Sequence, residues 1–163
     1  MPERIYILSG TIKTGKTTKL LEFSSRHPDV YGILSPVVGG KRFFMDAHTK
    51  EEFPMESGPA SDSVLRVGKF SFDVSSFIKA IAIVRDALNY KHGWLILDEI
   101  GPLELKKEGF YKVVNEIIVS PTSLNILFVI RDTILHKAID FFHMDSRNVH
   151  IINTSSAILN KNE

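Results

Sequence analysis

Residues 5–18 read IYILSGTIKTGKTT, and the fold turns on how this stretch is interpreted. Its apolar opening, Ile5, Tyr6, Ile7 and Leu8, has the character of a buried strand ending at Ser9. Gly10, four variable residues, Gly15, Lys16 and Thr17 follow, and Thr17 to Phe23 reads as a helix with Leu20 and Leu21 on its apolar face. A strand that bends through glycines into a helix gathers backbone N–H groups around one small volume.

That spacing, G-x-x-x-x-G-K-T, is the P-loop or Walker A pattern. A triphosphate is compact and highly charged, and a helix beginning near Gly15 offers it unpaired N–H groups and the positive end of a dipole. The loop expected to hold phosphate therefore comprises Gly10, Thr11, Ile12, Lys13, Thr14, Gly15, Lys16, Thr17 and Thr18. Lys16 is expected to neutralise the β- and γ-phosphate oxygens as a catalytic point charge, and Thr17 to offer its hydroxyl to Mg²⁺. Lys13 has two readings, a phosphate contact (or a reach to a partner subunit) and a solvated side chain.

A second constellation lies downstream. Trp94-Leu95-Ile96-Leu97-Asp98 is an apolar run ending in an acid, which suits a buried parallel strand delivering a metal-binding carboxylate beside the P-loop. Glu99, one residue further, is placed to orient and deprotonate water opposite the γ-phosphate. Arg131 ends another apolar run, Leu124 to Ile130. Its guanidinium either reaches the γ-phosphate or forms a salt bridge to Glu99 or Glu104. Glu104 either lies near the site or pairs with a lysine. His136, His143 and His150 lie seven residues apart, without metal-ligand spacing.

Between these motifs, Val30 to Leu34 reads as a strand ending at Ser35-Pro36. Arg42 to Met45 and Phe53 to Met55, separated by the polar Asp46 to Glu52, read as a hairpin, and residues 58–63 as loop. This excursion, about residues 37–70, is too short to enclose a core of its own. Phe70 to Phe72 reads as a strand and Asp73 as the N-cap of a helix whose apolar face carries Val74, Phe77, Ile78, Ile81, Val84 and Leu88. Phe110, Val113, Val114, Ile117 and Ile118 mark another helix, stopped by Ser120-Pro121. Asp132 is expected to cap a helix with Ile134, Ala138, Ile139 and Phe142, Val149 to Ile152 to form a last strand, and Ser155 onward a short helix. Alternating strands and helices imply right-handed crossovers and a three-layer α/β fold with a mostly parallel sheet. Ligands of such sheets sit beyond the carboxyl ends of the strands.

The chain has 163 residues, one domain by length, 1–163, and enough to bury roughly 70% of its unfolded surface. Twenty basic against nineteen acidic residues, a formal charge of +1, argue against a general footprint for nucleic acid or membrane. The absence of cysteine excludes disulfides, zinc fingers and thiol catalysis. With no basic leader followed by a long apolar segment, and no run of roughly 18 apolar residues, the chain is expected to be soluble and cytoplasmic.

Four segments together, GTIKTGKTT, VGKFSFDVSSF (67–77), DEIGPLEL (98–105) and VIRD (129–132), resemble the small P-loop nucleoside-triphosphatases first known from thermophiles, also called the cancer-related NTPase family. YGILSP with its following GKR and hairpin resembles the bacterial members. The resemblance runs from about Ile5 to Asn153, and DEIGPLEL is its most specific part. It implies a RecA-like core and Mg²⁺-dependent hydrolysis of ATP, GTP and other nucleoside triphosphates to diphosphate and phosphate, with loose base selectivity. By matching motif, Gly10, Gly15, Lys16, Thr17 and Thr18 would bind phosphate and metal, Asp98 and Glu99 would serve metal and water, and Arg131 matches an arginine after the corresponding strand. Thr11-Ile12-Lys13-Thr14 departs from the proline and glycine of many relatives, and the chain stops soon after Asn153-Thr154, where relatives often continue through a longer helix.

Two other readings share the P-loop. A nucleotide or small-molecule kinase would need an acceptor site shielded from water; no arginine-rich lid stands out, but the excursion could cover an acceptor. A guanine-nucleotide-binding switch would use Asp98-Glu99-Ile100-Gly101 as D-x-x-G, with Asn160-Lys161-Asn162-Glu163 as a poor echo of N-K-x-D.

Overall fold

The structure, a computed structural model, describes residues 2–10, 15–58, 63–67, 70–144 and 147–160. In chain order these form β1 (Ile5–Gly10), α1 (Lys16–Arg26), β2 (Val30–Leu34), β3 (Val37–Val38), β4 (Lys41–Asp46), β5 (Glu52–Pro54), β6 (Val64–Val67), β7 (Phe70–Asp73) and α2 (Val74–Ala87). There follow β8 (Trp94–Ile100), α3 (Pro102–Leu105), α4 (Tyr111–Val119), β9 (Asn125–Arg131), a 3-10 turn (Asp132–Ile134), α5 (Leu135–Phe141), β10 (Val149–Ile152) and α6 (Ala157–Asn160).

The main sheet runs β10-β1-β9-β8-β2-β4-β3, with β5 also paired to β4. Its first five strands are parallel and the excursion adds the antiparallel ones. One strand, β9, separates the P-loop strand β1 from β8, so the two chemical motifs approach at the carboxyl edge without being sheet neighbours.

Strand periodicity builds the three layers. On β1, Ile5 and Ile7 enter a core shared with α2, α4 and α5, while Tyr6 and Leu8 enter a second core shared with α1 and α6. β8 divides likewise, Leu95 and Leu97 to one side and Ile96 to the other. Burial on both faces explains why these runs are apolar without alternation.

The expected hairpin is present, with Phe44 paired to Phe53. The strand β6 was not anticipated; it pairs with β7 in a separate two-stranded sheet. Part of the expected loop, residues 59–62, lies outside the described residues. Asp73 caps α2 as expected, its carboxylate accepting the Ser75 N–H at 2.8 Å. The buried face of α2 is Phe77, Ala80, Val84 and Ala87, whereas Ile78 is 63% exposed. The expected face is corrected there because the alanines, not the larger Ile78, are turned toward the core. Asp132 opens the 3-10 turn and does not cap α5, which begins only at Leu135.

Gly32 shows how closely the central ladder is packed. Its φ is +104°, and a Cβ there would collide with the main-chain oxygen of Ile96 on β8. Gly32→Ala is therefore expected to destabilise the fold by about 3 kcal/mol or more, read from the urea midpoint. A negligible shift would mean that the β2–β8 ladder relaxes around a side chain.

Candidate functional site

The P-loop strand ends at Gly10 and α1 begins at Lys16, preceded by Gly15 with φ +79°. Only glycine adopts that left-handed conformation freely, and it turns the chain into the helix. Thr11, Ile12, Lys13 and Thr14, four of the residues expected to bind phosphate, lie outside the described residues. Lys16 is 9% exposed, and its Nζ donates to the Gly10 carbonyl at 3.2 Å, reaching back to the end of β1.

Thr17 and Asp98 meet although 81 positions apart in sequence, the threonine hydroxyl donating to Asp98 Oδ2 at 2.9 Å. The main-chain N–H of Ser35 donates to the same oxygen at 3.1 Å, and the Ser35 hydroxyl donates to the Asp98 carbonyl. Asp98 is 2% exposed, and burial pushes its carboxyl up to about 6. The neighbouring charge of Glu99 pushes the same way, while the Ser35 N–H, the Thr17 hydroxyl and the Lys16 charge pull it down.

β8 continues beyond the expected Leu97 to Ile100, with an irregularity in its pairing to β9 between Leu97 and Ile100. There the strand carries two consecutive acids. Glu99 accepts from Arg131 Nε at 3.0 Å. Of the two readings of Arg131, the ion pair with Glu99 is thus present, and the guanidinium still lines the cavity beside Lys16. That cavity, about 380 Å³, is lined by Gly15, Lys16, Thr17, Thr18, Ser35, Arg42, Asp98, Glu99 and Arg131, together with Leu21, Pro36 and Val37.

Ser35 and Arg42 are the site residues that sequence reasoning missed. Ser35 directly follows the parallel strand β2 at the carboxyl edge of the sheet, the signal that could have marked it. Arg42 comes from the antiparallel excursion, and no local pattern announces it.

Among the described residues Glu104 pairs with no lysine: its oxygens accept the main-chain N–H groups of Gly101 at 2.8 Å and Phe110 at 3.0 Å. It fastens the segment after Glu99 to the start of α4. Gly109 (φ +59°) lets the loop close, because a Cβ there would strike the carboxylate. Burial dominates and pushes Glu104 up to about 7, against the two N–H donors. Its folded value thus lies above its unfolded one. The contribution of this group to stability is greatest below about 4.5 and is lost as pH rises through about 7. Glu104→Gln sets an amide NH₂ against one buried donor and is expected to cost about 1–3 kcal/mol. In urea titrations the advantage of the native chain over the variant should shrink from pH 4.5 to 8; an advantage that grew would show that the N–H donors outweigh burial.

The sheet order, the glycine-led turn into α1 and the facing Thr17 and Asp98 define a P-loop NTPase fold. The chain belongs to the NTPase family, whose model matches residues 5–157. Among solved structures, THEP1 from the hyperthermophile Aquifex aeolicus is similar in fold, with a TM-score of 0.72 over 96% of this chain and 95% of that one, at 21% identity. No curated protein matches the chain in sequence. Membership of this family supports nucleoside triphosphatase activity in general terms. Among the described residues, no helix is long and apolar enough to cross a membrane.

Proposed function

We propose that the chain acts as one P-loop domain that hydrolyses nucleoside 5'-triphosphates to diphosphate and phosphate, with Mg²⁺ and with loose base selectivity. The observation that carries this reading is the meeting of Thr17 and Asp98 at 2.9 Å on the wall of a cavity that also holds Lys16 and Glu99. A hydroxyl and a carboxylate, both hard oxygen donors, suit a small divalent cation whose remaining ligands are phosphate oxygens and water. They would hold Mg²⁺ together, and when bound it would neutralise charge on the β- and γ-phosphates.

Lys16 sits at the first residue of α1 and supplies a positive charge to the phosphates at the point where the helix dipole is also positive. Glu99 takes a proton from the attacking water. Arg131, holding one oxygen of Glu99, orients that carboxylate and adds positive charge where the γ-phosphoryl group leaves. Loose base selectivity is expected because the charged groups of the cavity, Lys16, Asp98, Glu99 and Arg131, are assigned to phosphate, metal and water and not to the base. The cytoplasm is the reducing compartment that a cysteine-free composition suits.

Arg131→Ala is expected to lower the rate of phosphate release about 10²-fold with little change in diphosphate affinity, measured by steady-state release and by titration calorimetry. An unchanged rate would leave Arg131 as a structural partner of Glu99. The function itself is tested by phosphate release from purified protein supplied with ATP and Mg²⁺.

A further inference from the structure

A second cavity, about 370 Å³, opens beside the phosphate cavity, and the two share Ser35, Arg42, Glu99 and Arg131. Away from this shared wall its lining is mostly apolar, with Phe44, Met55, Phe72, Phe77, Leu103 and Phe110; Glu104 also lines it, its two oxygens already engaged by the main-chain N–H groups of Gly101 and Phe110. Phe44 meets Phe77 edge-on at 5.1 Å, and Phe110 lies 5.3 Å from Phe77 and 5.7 Å from Phe44, so three of the rings brace one another. At the shared wall, the Arg42 guanidinium lies 5.4 Å from the centre of the half-buried Phe70 ring.

Hydrolysis needs room for one water, not an aromatic chamber of ligand size next to the water-activating carboxylate. The lining also has a direction, with rings at one end and, at the other, the hydroxyl, carboxylate and guanidinium groups that face the phosphate cavity. A ligand matching it has a flat apolar body and one polar group aimed at that wall.

We propose that this cavity is an acceptor site. It takes the ring of a small aromatic alcohol and presents its hydroxyl to the γ-phosphate, making the chain a phosphotransferase. The inference rests on the triphosphate reading of the adjoining cavity. In the step, the alcohol oxygen forms a bond to the γ-phosphorus and the bond from that phosphorus to the β–γ bridging oxygen breaks. The nucleoside diphosphate leaves with the bridging electron pair, and the hydroxyl proton passes to Glu99 and then to solvent. Glu99 serves water or alcohol alike, and an alcohol seated against the rings displaces the water.

The test uses the full chain with para-fluorobenzyl alcohol, benzyl alcohol and 3-(hydroxymethyl)pyridine as probes. Fluorine NMR of the first should show line broadening on adding protein, retained in the presence of a non-hydrolysable ATP analogue and Mg²⁺. Phe70→Ala should weaken this binding by about three- to tenfold. Met55→Trp, which fills the cavity, should abolish it; thermal melts check that both variants fold. With γ-labelled ATP and Mg²⁺, a labelled phosphate ester of at least one probe should form. Absence of broadening, displacement of the probe by nucleotide, wild-type binding by Met55→Trp, or binding without any labelled ester would each overturn the proposal. Phosphate release without alcohol is measured in parallel. Release without ester removes only the acceptor site, ester without release removes only the hydrolase, and neither product removes both.

Discussion

Replacing Lys16 by alanine is expected to remove detectable phosphate release and to weaken nucleoside triphosphate binding by about 10- to 100-fold. The ammonium is nearly enclosed at the first residue of α1, and its hydrogen bond to the Gly10 carbonyl ties the end of β1 to the start of the helix. Alanine removes both the charge that the phosphates would meet and that tie across the loop. Lys16→Arg separates the two effects, because the planar guanidinium keeps the charge but does not fit the place of a compact ammonium. It should recover part of the binding and little of the turnover. Calorimetry with a non-hydrolysable analogue reads binding, and a phosphate assay reads turnover. An alanine variant that bound triphosphate as tightly as the native chain would place the phosphates elsewhere.

Glu99→Gln should keep nucleotide affinity and lower turnover by about 10²- to 10⁴-fold. Glutamine is nearly isosteric and retains an oxygen able to accept from Arg131 Nε, so the geometry at the end of β8 should survive. What it loses is the capacity to take a proton. Near-normal turnover would remove Glu99 from the role of base and leave it as the anchor of Arg131.

Much of this architecture was legible along the chain. The parallel strands were readable because burial on both faces leaves continuous apolar runs, as in β1, β8 and β9. The hairpin was readable because its polar tip, Asp46 to Glu52, interrupts two aromatic runs. What stayed hidden depends on tertiary packing. Ile78 fits an apolar helical face by spacing, yet the core admits the smaller Ala80 and Ala87 and leaves Ile78 in solvent. Asp132 looks like a cap, but the chain first makes a 3-10 turn, and α5 begins without a side-chain cap.

At the candidate site, the pairing of Thr17 with Asp98 follows from two motifs that each have a local pattern. Ser35 has only its place just past an apolar strand, and Arg42 has no local pattern. They reach the site because β2 lies beside β8 and because the excursion folds back along β2, both facts of sheet order. Glu104 reads along the chain either as an acid near the site or as the partner of a lysine, but its partners are main-chain N–H groups, which no sequence displays.

The central claim is that Thr17, Asp98 and Glu99 serve metal-dependent hydrolysis of nucleoside triphosphates. The most direct test is phosphate release from ATP, GTP, CTP and UTP, with and without Mg²⁺, comparing the native chain with Glu99→Gln. Metal-dependent release from several bases, lost in the variant, is the predicted result. Tight binding of all four with no release from any would contradict the hydrolytic reading.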